Sequence, residues 1–320
     1  MTRLTLPIIS DADDYKRHFQ DDIWQGVAAR ICAQHNLLHS SLRRSPQGEN
    51  IVFFVDSASV IKIYTPFRDG YAREKAALEF AGGKLGLETP TILHAGEFEG
   101  WSYLVMTQLA GVPLREVWRD METGERIEIV SRLGVALKNL HAHAAPLSQS
   151  ALNRDWHGFV KRQAQTCVER QRACGANPQW LNTLPAYIKA RFELLPTKFA
   201  PVLLHGDVHP LNVLLAQESG RWQIAGLFDF ADSLCGFHEY EFVAPGVLIM
   251  QGERELQRAF LLAYGYREAE LDLNLRARLM LLTVLYECSD LRKYALRVAP
   301  EAVDLTLNEL EAAIWTFAAK

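Results

Sequence analysis

Three side chains that carry oxygen ligands lie close together in the second half of the sequence. Asp207 belongs to the segment between two predicted strands, Asn212 opens a predicted β-hairpin, and Asp229 ends it. Because the two ends of a hairpin return to the same place, we expect Asn212 and Asp229 to form a site for Mg²⁺, which prefers oxygen ligands. Asp207 could then accept the proton of an incoming hydroxyl and align it with a γ-phosphoryl group. The spacing therefore predicts phosphotransfer.

Other interpretations use the same residues. Asp and Asn in loops commonly bind backbone N–H groups in turns. A metal-dependent hydrolase is a rival from another class, because two histidines stand four residues apart near aspartates; it would use His205, Asp207, His209 and Asp229. A nucleotide-binding regulator without turnover is a third possibility, which the complete set of Asp207, Asn212 and Asp229 disfavours.

A second charged pair is predicted in the first third of the chain. Lys62 is a charged residue in an otherwise apolar strand, and Glu74 lies on the helix that follows. A lysine that protects an edge strand from aggregation would look the same. In a phosphotransfer site, however, Glu74 would hold the Lys62 ammonium over the α- and β-phosphates of a nucleotide. The hydrolase gives neither residue a task.

The segment that would cradle the phosphates carries a weaker signal. The sequence from Gly82 onwards fails the Walker A pattern, and no Gly-x-Gly-x-x-Gly stands at the first strands. The available loop is 45–50, which ends at Asn50 and reads equally well as a surface turn. If the chain has two lobes, the connector that contains Met106 and Gln108 would offer backbone groups to the nucleotide base.

The elements that must position these groups change character along the chain. Apolar residues recur every four positions in the first ~35 residues, which predicts one amphipathic helix from Tyr15 to Ile31. A hairpin, a helix and two more short strands follow, at 50–55, 59–64, 71–80, 91–97 and 101–106. The later segments are mainly helical, at 126–141, 156–174, 180–195, 256–264, 271–294 and 302–318, interrupted by a strand at 201–204 and a hairpin at 212–228. The sequence predicts an α+β fold with a small β-rich lobe, 1–107, and a larger helical lobe, 108–320.

Composition excludes several classes of protein. The chain has 320 residues, with 34 Lys and Arg against 38 Asp and Glu, and a formal charge of −4. This balance argues against a nucleic-acid binder with a broad basic face. No apolar run approaches the ~20 residues that span a bilayer, and no secretory signal is recognisable. The five cysteines contain no Cys-x-x-Cys pair, so we expect reduced thiols and a cytoplasmic protein. No obligate protein partner is evident from the sequence.

These motifs together resemble the aminoglycoside phosphotransferase family, which also includes choline-kinase-like enzymes. The resemblance rests on His205-Gly206-Asp207-x-His209-x-x-Asn212, on Phe228-Asp229-Phe230-x-Asp232, and on Lys62 with Arg73-Glu74. It implies a bilobal protein-kinase-like fold, ATP or GTP as the donor, and Mg²⁺. It also implies that Asp207 is the catalytic base, that Asn212 and Asp229 bind Mg²⁺, and that Lys62, anchored by Glu74, binds the phosphates.

Peripheral stretches look most like the branch that phosphorylates hygromycin B. They are 9–15, 103–106 and the Arg-rich helix 159–175. Two positions depart from the family pattern: Leu211 stands where Gly is frequent, and Glu241 stands where Asp is usual.

An aminoglycoside acceptor is cationic, so the resemblance implies a pocket of carboxylates. The candidates are Asp232, Glu239, Glu287 and Asp290, and each could equally be a solvated charge on a helix face. Asp232 is the strongest candidate, because it follows Asp229 by three residues. Choline, homoserine and fructosamines are alternative acceptors.

Overall fold

The first third of the chain forms one antiparallel sheet with three helices. The computed structural model describes residues 6–9, 11–46 and 48–318. The sheet has the order β1-β2-β3-β5-β4. Its strands are β1 Leu42–Arg44, β2 Ile51–Val55, β3 Ser59–Ile63, β4 Ile92–Phe98 and β5 Trp101–Thr107, and the helices are α1 Ala12–His18, α2 Ile23–Gln34 and α3 Gly70–Ala81.

The N-terminal helix is divided, contrary to the single helix that the sequence predicts. The carbonyl of His18 accepts from the backbone N–H of Asp21 and from the Trp24 indole, 2.7 Å away, so the chain turns between α1 and α2. Trp24 is then fully buried against the sheet. Of the stretches considered above, Ser10 in 9–15, Gln47 in 45–50 and the N-terminal residues 1–5 lie outside the described residues.

Alternation along β3 decides where Lys62 points. Ile61 and Ile63 face the apolar cluster under α1 and α2. Because successive side chains of a strand point to opposite faces, Lys62 projects to the other face, toward α3. One register position therefore places a cation beneath the helix that carries Glu74.

The second part is mainly helical. Its helices are α4 Leu114–Val117, α5 Thr123–His141, α6 Trp156–Ala173, α7 Pro178–Arg191, α8 Val243–Pro245, α9 Arg254–Tyr264, α10 Leu273–Leu285, α11 Leu291–Val298 and α12 Leu307–Ile314. Its strands are β6 Val112–Pro113, β7 Val202–Leu204, β8 Val213–Glu218, β9 Arg221–Leu227 and β10 Leu234–Gly236. Strands β6, β8 and β9 form one small sheet, and β7 pairs with β10. The predicted β interruption of a helical region is confirmed.

The single helix predicted over 271–294 is wrong. Helix α10 ends at Leu285, and α11 begins after Asp290, whose Oδ1 accepts from the backbone N–H of Lys293 at 2.9 Å. The buried side chain of Gln171 stabilises the break between the two helices. It donates to the backbone oxygen of Ser289 at 3.0 Å and accepts from the backbone N–H of Leu291 at 2.9 Å. The break brings residues 286–290 to the loop that contains Asp207.

Within the described residues, no helix is long and apolar enough to cross a membrane. Strand β5 ends at Thr107. The boundary between residues 107 and 108 stays a prediction.

Candidate active site

The ammonium of Lys62 lies between two carboxylates. Its Nζ is 2.5 Å from Oε2 of Glu74 and 2.7 Å from Oδ1 of Asp229. Burial by itself would lower the pKa of Lys62, but the two carboxylates outweigh it and raise that pKa above its ordinary value. Lys62 therefore stays charged. The predicted pairing of Lys62 with Glu74 is confirmed, and its task toward a nucleotide stays a prediction.

Glu74 connects the two parts of the chain. The side chain is 1% exposed and accepts from the Tyr64 hydroxyl at 2.7 Å as well as from Lys62. Its other oxygen accepts from the backbone N–H of Phe230 at 3.3 Å. The residue after Asp229 is thus attached directly to α3, which fixes Asp229 relative to Lys62.

Asp229 has an unusual backbone conformation. Its φ is 66°, in the left-handed region that Asp and Asn tolerate better than other side chains with a Cβ. This turn follows β9 and directs the carboxylate toward Lys62, with 40% of the side chain exposed. Burial would raise the pKa of Asp229, but Lys62 lowers it below its ordinary value. Asp229 is an anion that faces open space.

Asn212 joins Asp207 to the base of the hairpin. Its amide nitrogen donates to the backbone oxygen of Asp207 at 3.0 Å and to Oδ2 of the same residue at 3.2 Å. Its backbone oxygen accepts from Phe228 at 3.1 Å. The expected approach of the two hairpin ends is therefore present, and Asp207, Asn212 and Asp229 share one region.

The two histidines of the loop position it. The backbone oxygen of Phe228 can only accept, so Nε2–H of His205 donates to it at 3.0 Å, and Nδ1 accepts from the Asp207 N–H at 3.2 Å. Both ring nitrogens of His205 are occupied, which removes a ligand from the hydrolase interpretation. In His209, Nδ1 accepts from the Leu211 N–H at 3.1 Å, and Nε2 lies 3.2 Å from Oδ2 of Asp207.

Glu241 holds the loop from below. Its carboxylate is 1% exposed and accepts from the backbone N–H groups of His205, at 2.5 Å, and Gly206, at 3.0 Å. Gly206 has a φ of 84°, and a Cβ there would lie 2.5 Å from the backbone oxygen of Asp232. Glu241, which stands where Asp is usual in the family that the sequence resembles, thus anchors the loop that carries Asp207. Sequence reasoning noted the departure without assigning this task.

The donor set beside Asp207 fits Mg²⁺. The amide nitrogen of Asn212 is bound to Asp207, so its Oδ1 is the atom left to bind a cation, and Asp229 supplies an anionic oxygen. Among the described residues, no group of three His, Cys, Asp or Glu side chains could hold a metal. Magnesium in phosphotransfer sites is commonly held by only one or two carboxylate side chains, and phosphate oxygens complete its coordination shell.

The residues predicted to contact the nucleotide make contacts within the chain, and their task toward a nucleotide stays a prediction. Oδ1 of Asn50 accepts from the Thr65 N–H at 3.3 Å, so this side chain fastens the loop to the end of β3. Met106 is buried and pairs with Val60 in the sheet. The N–H of Gln108 donates to the backbone oxygen of Ala58 at 2.9 Å, so it is not available to a base.

The four carboxylates proposed for the acceptor do not form one pocket. The prediction that Glu239 contacts the acceptor is wrong. Glu239 is 2% exposed, and its carboxylate is bound by Arg278 at 2.5 and 2.6 Å and by the Tyr266 hydroxyl at 2.7 Å. Glu287 and Asp290 lie in the break before α11 instead of on one helix. Glu287 is exposed and 3.6 Å from Arg154.

Asp232 is the member of this set that lies beside Asp207 and Asp229. Although the residue is exposed to solvent, desolvation of its carboxyl by the surrounding protein and the nearby carboxylates of Asp207 and Asp229 raise its pKa to about 6. Tyr286 is a neighbour that the sequence did not reveal; its hydroxyl donates to the backbone oxygen of Gly206. The sequence predicts one continuous helix over 271–294, which gives no reason to expect Tyr286 in a break beside this loop.

Comparisons with known proteins identify the family of the chain and its fold. The model of a family described as "Phosphotransferase enzyme family" matches residues 43–282. No curated protein matches the chain.

Solved structures share the fold. Wild-type aminoglycoside 2'-phosphotransferase-IIIa in its GDP complex is 17% identical, with a TM-score of 0.67, over 91% of this chain and 98% of that one. A thermostable mutant of aminoglycoside phosphotransferase APH(4)-Ia, in a ternary complex with ADP and hygromycin B, is 18% identical, with a TM-score of 0.60, over 92% of this chain and 100% of that one. Identities this low establish a common fold, and the predicted α+β kinase-like class is confirmed.

Proposed function

Because the chain belongs to the phosphotransferase enzyme family, we propose that it transfers the γ-phosphate of ATP or GTP to a hydroxyl of a small molecule, with Mg²⁺ as cofactor. The observation that carries this proposal is the contact of Lys62 with both Glu74 and Asp229. Lys62 is buried between two carboxylates, at the edge of the loop that contains a third carboxylate, Asp207. This arrangement suits a site for polyphosphate and a metal ion. The neighbours that were solved with GDP and ADP support nucleotide as the donor.

Each charged group has a distinct task in this proposal. Lys62 binds the donor phosphates, and Glu74 fixes its position. Asn212 and Asp229 would hold Mg²⁺, which neutralises charge on the phosphate oxygens when it is bound. Asp207 orients the acceptor hydroxyl and accepts its proton, while Asn212 and His209 hold the Asp207 carboxylate in place. The chain itself forms no covalent bond to phosphate.

Two classes of acceptor are candidates for this reaction. The resemblance to the hygromycin B branch, and neighbours solved with kanamycin and hygromycin B, make an aminoglycoside the first candidate acceptor to test. Choline, homoserine and fructosamines are the alternative. Of the four carboxylates expected around a cationic acceptor, Asp232 is the one placed beside Asp207 and Asp229. Hygromycin B is therefore the reference acceptor in the experiments below.

Thermal unfolding with Mg²⁺ and the non-hydrolysable nucleotide AMP-PNP tests the donor site. We expect stabilisation of the natural chain and its loss in Lys62→Met. The matched control is Lys75→Met, which removes a lysine from the exposed Lys75–Glu79 pair on α3 and should leave the stabilisation intact. Equal stabilisation of all three proteins, or none in the natural chain, would contradict the proposal.

A further inference from the structure

A cleft of about 1190 Å³ opens beside the loop that carries Asp207. His209, Pro210 and Leu211 contribute to its lining. Because Nε2 of His209 is 3.2 Å from Oδ2 of Asp207, the cleft lies one side chain away from the proposed base. A molecule seated in it could present a hydroxyl to Asp207.

The charge of this cleft is opposite to that expected for a cationic acceptor. Six cations line it, against two carboxylates. The cations are Arg115, Arg119, Arg126, Arg292, Lys293 and Arg297, and the carboxylates are Glu253 and Asp290. One basic wall consists of α4 and the residues just after it, and the other is α11.

Both carboxylates of the lining already have partners. Glu253 lies 2.9 Å from Arg126, and Oδ1 of Asp290 accepts from the backbone N–H of Lys293 at 2.9 Å. Glu116 and Asp120, on the same segment as the first wall, do not belong to the lining.

The other five cations are available to a ligand. In the described part of the chain, no ion pair shorter than 4.0 Å involves Arg115, Arg119, Arg292, Lys293 or Arg297, and all five side chains are exposed. An excess of positive charge therefore faces the cleft, even when the carboxylate of Asp290 is counted against these five cations.

Apolar side chains complete the lining. Leu211 and Leu296 are 43% and 45% exposed, and both lie in this cleft together with Trp118 and Leu248. Large exposed apolar groups beside cations suit a ligand with a hydrocarbon or ring body and a negative charge.

Given the proposed function, on which this inference rests, we propose that the acceptor is an anion: a hydroxyl compound that carries a carboxylate or a phosphate. The planar guanidinium groups of Arg115, Arg292 and Arg297 can each bind such an oxyanion through two parallel hydrogen bonds. The same charges repel the ammonium groups of an aminoglycoside. The acceptor hydroxyl would extend past His209 to Asp207.

Binding in the presence of saturating Mg²⁺ and AMP-PNP tests the proposal, because the donor site is then filled. The probes are a hydroxy acid (3-hydroxybenzoate), a sugar phosphate (glucose 6-phosphate) and hygromycin B, measured by calorimetry. We expect at least one of the two anions to bind more tightly than hygromycin B, and the better of the two identifies the oxyanion. In Arg292→Glu/Arg297→Glu the anion affinity should fall by at least about tenfold, as expected for lost charge-assisted hydrogen bonds.

Two further variants make the result specific. Arg115→Glu/Arg119→Glu, on the other wall, should weaken the same anion. Arg221→Glu, an equal change of charge on an exposed residue at the β8–β9 turn, should not.

Binding of hygromycin B alone, binding of neither anion, or an anion affinity that both wall variants leave unchanged would overturn the inference. The stabilisation by Mg²⁺ and AMP-PNP is recorded on the same samples. If it persists, the proposed phosphotransfer stands without an anionic acceptor; if it is absent, the proposed function itself fails.

Discussion

Nζ of Lys62 lies 2.7 Å from Oδ1 of Asp229, a residue 167 positions further along the chain. This contact joins β3 of the sheet to the turn after β9, and Glu74 supports it from α3. In the proposed site, Lys62 would bind phosphate oxygens and Asp229 would bind Mg²⁺ in place of their contact with each other. The contact therefore suits the proposed nucleotide site, because it holds one ammonium between two carboxylates.

Glu74→Gln should weaken the site without unfolding the protein. The amide keeps an oxygen for the Tyr64 hydroxyl, but it loses the charge that holds Lys62, and its NH₂ faces the backbone N–H of Phe230. We expect kcat/KM for nucleotide to fall by about tenfold to hundredfold, as for a lost buried charge-assisted bond. Glu79→Gln, on the exposed side of the same helix, is the matched control and should stay within about twofold. Equal effects of the two substitutions would remove the proposed task of Glu74.

Asp229→Asn separates charge from backbone conformation. Asparagine tolerates the φ of 66° at this position, so the turn should persist while the anion is lost. We expect Mg²⁺ to improve nucleotide affinity in the natural chain and to have at least about tenfold less effect in the variant, measured by calorimetry with and without Mg²⁺. Asp56→Asn is the control, because Asp56 also has a positive φ, 51°, but lies at the β2–β3 turn. An undiminished Mg²⁺ effect in Asp229→Asn would contradict the assignment.

Glu241→Gln should destabilise the loop that carries Asp207. An amide can accept from one of the two N–H groups of His205 and Gly206, and its own NH₂ meets the other. We expect the free energy of unfolding to fall by about 1–3 kcal/mol, the usual consequence of an unsatisfied buried donor, as measured by urea denaturation. Glu128→Gln, in an exposed pair with Arg132, should change it by less than about 0.5 kcal/mol. A loss no larger than that of the control would show that the loop does not depend on Glu241.

Sequence reasoning predicted the contacts among the proposed site residues better than it predicted their surroundings. The predicted hairpin brings Asn212 toward Asp229, and the helix predicted after the strand of Lys62 carries Glu74 as its partner. Both predictions depend on short segments of sequence. The break after Leu285 does not follow from any such segment. That break depends on Gln171, more than a hundred residues away, and apolar periodicity over 271–294 continues through it.

The acceptor site shows the same limit. Glu239 has the residue type expected for binding a cation, and only the fold reveals that Arg278 and Tyr266 already occupy it. The formal charge of −4 likewise conceals a cleft lined by six cations, since a sum over the chain contains no information about place.

Asp232 should make stability depend on pH. Its folded-state pKa of about 6 is above the ordinary 3.8, so folding favours the protonated acid, and stability is lost as pH rises from about 4 to 6. Asp232→Asn does not ionise at this position. The free energy of unfolding of the variant, relative to that of the natural chain, should therefore increase between pH 5 and pH 7.5. We expect a gain under about 1 kcal/mol, because the side chain is exposed and solvent screens it. The gain should shrink in 1 M NaCl; a relative loss above pH 6 would contradict this account.

Asp207→Asn tests the central claim most directly. The variant and the natural chain are incubated with Mg²⁺, γ-³²P-labelled ATP and the acceptor panel of hygromycin B, 3-hydroxybenzoate and glucose 6-phosphate, and labelled product is measured beside AMP-PNP affinity. We predict that the natural chain labels an acceptor. The variant should bind the nucleotide within about threefold of the natural affinity and transfer phosphate about 10²–10⁴ times more slowly, as expected for a lost general base. Unimpaired transfer by Asp207→Asn would contradict the proposed mechanism.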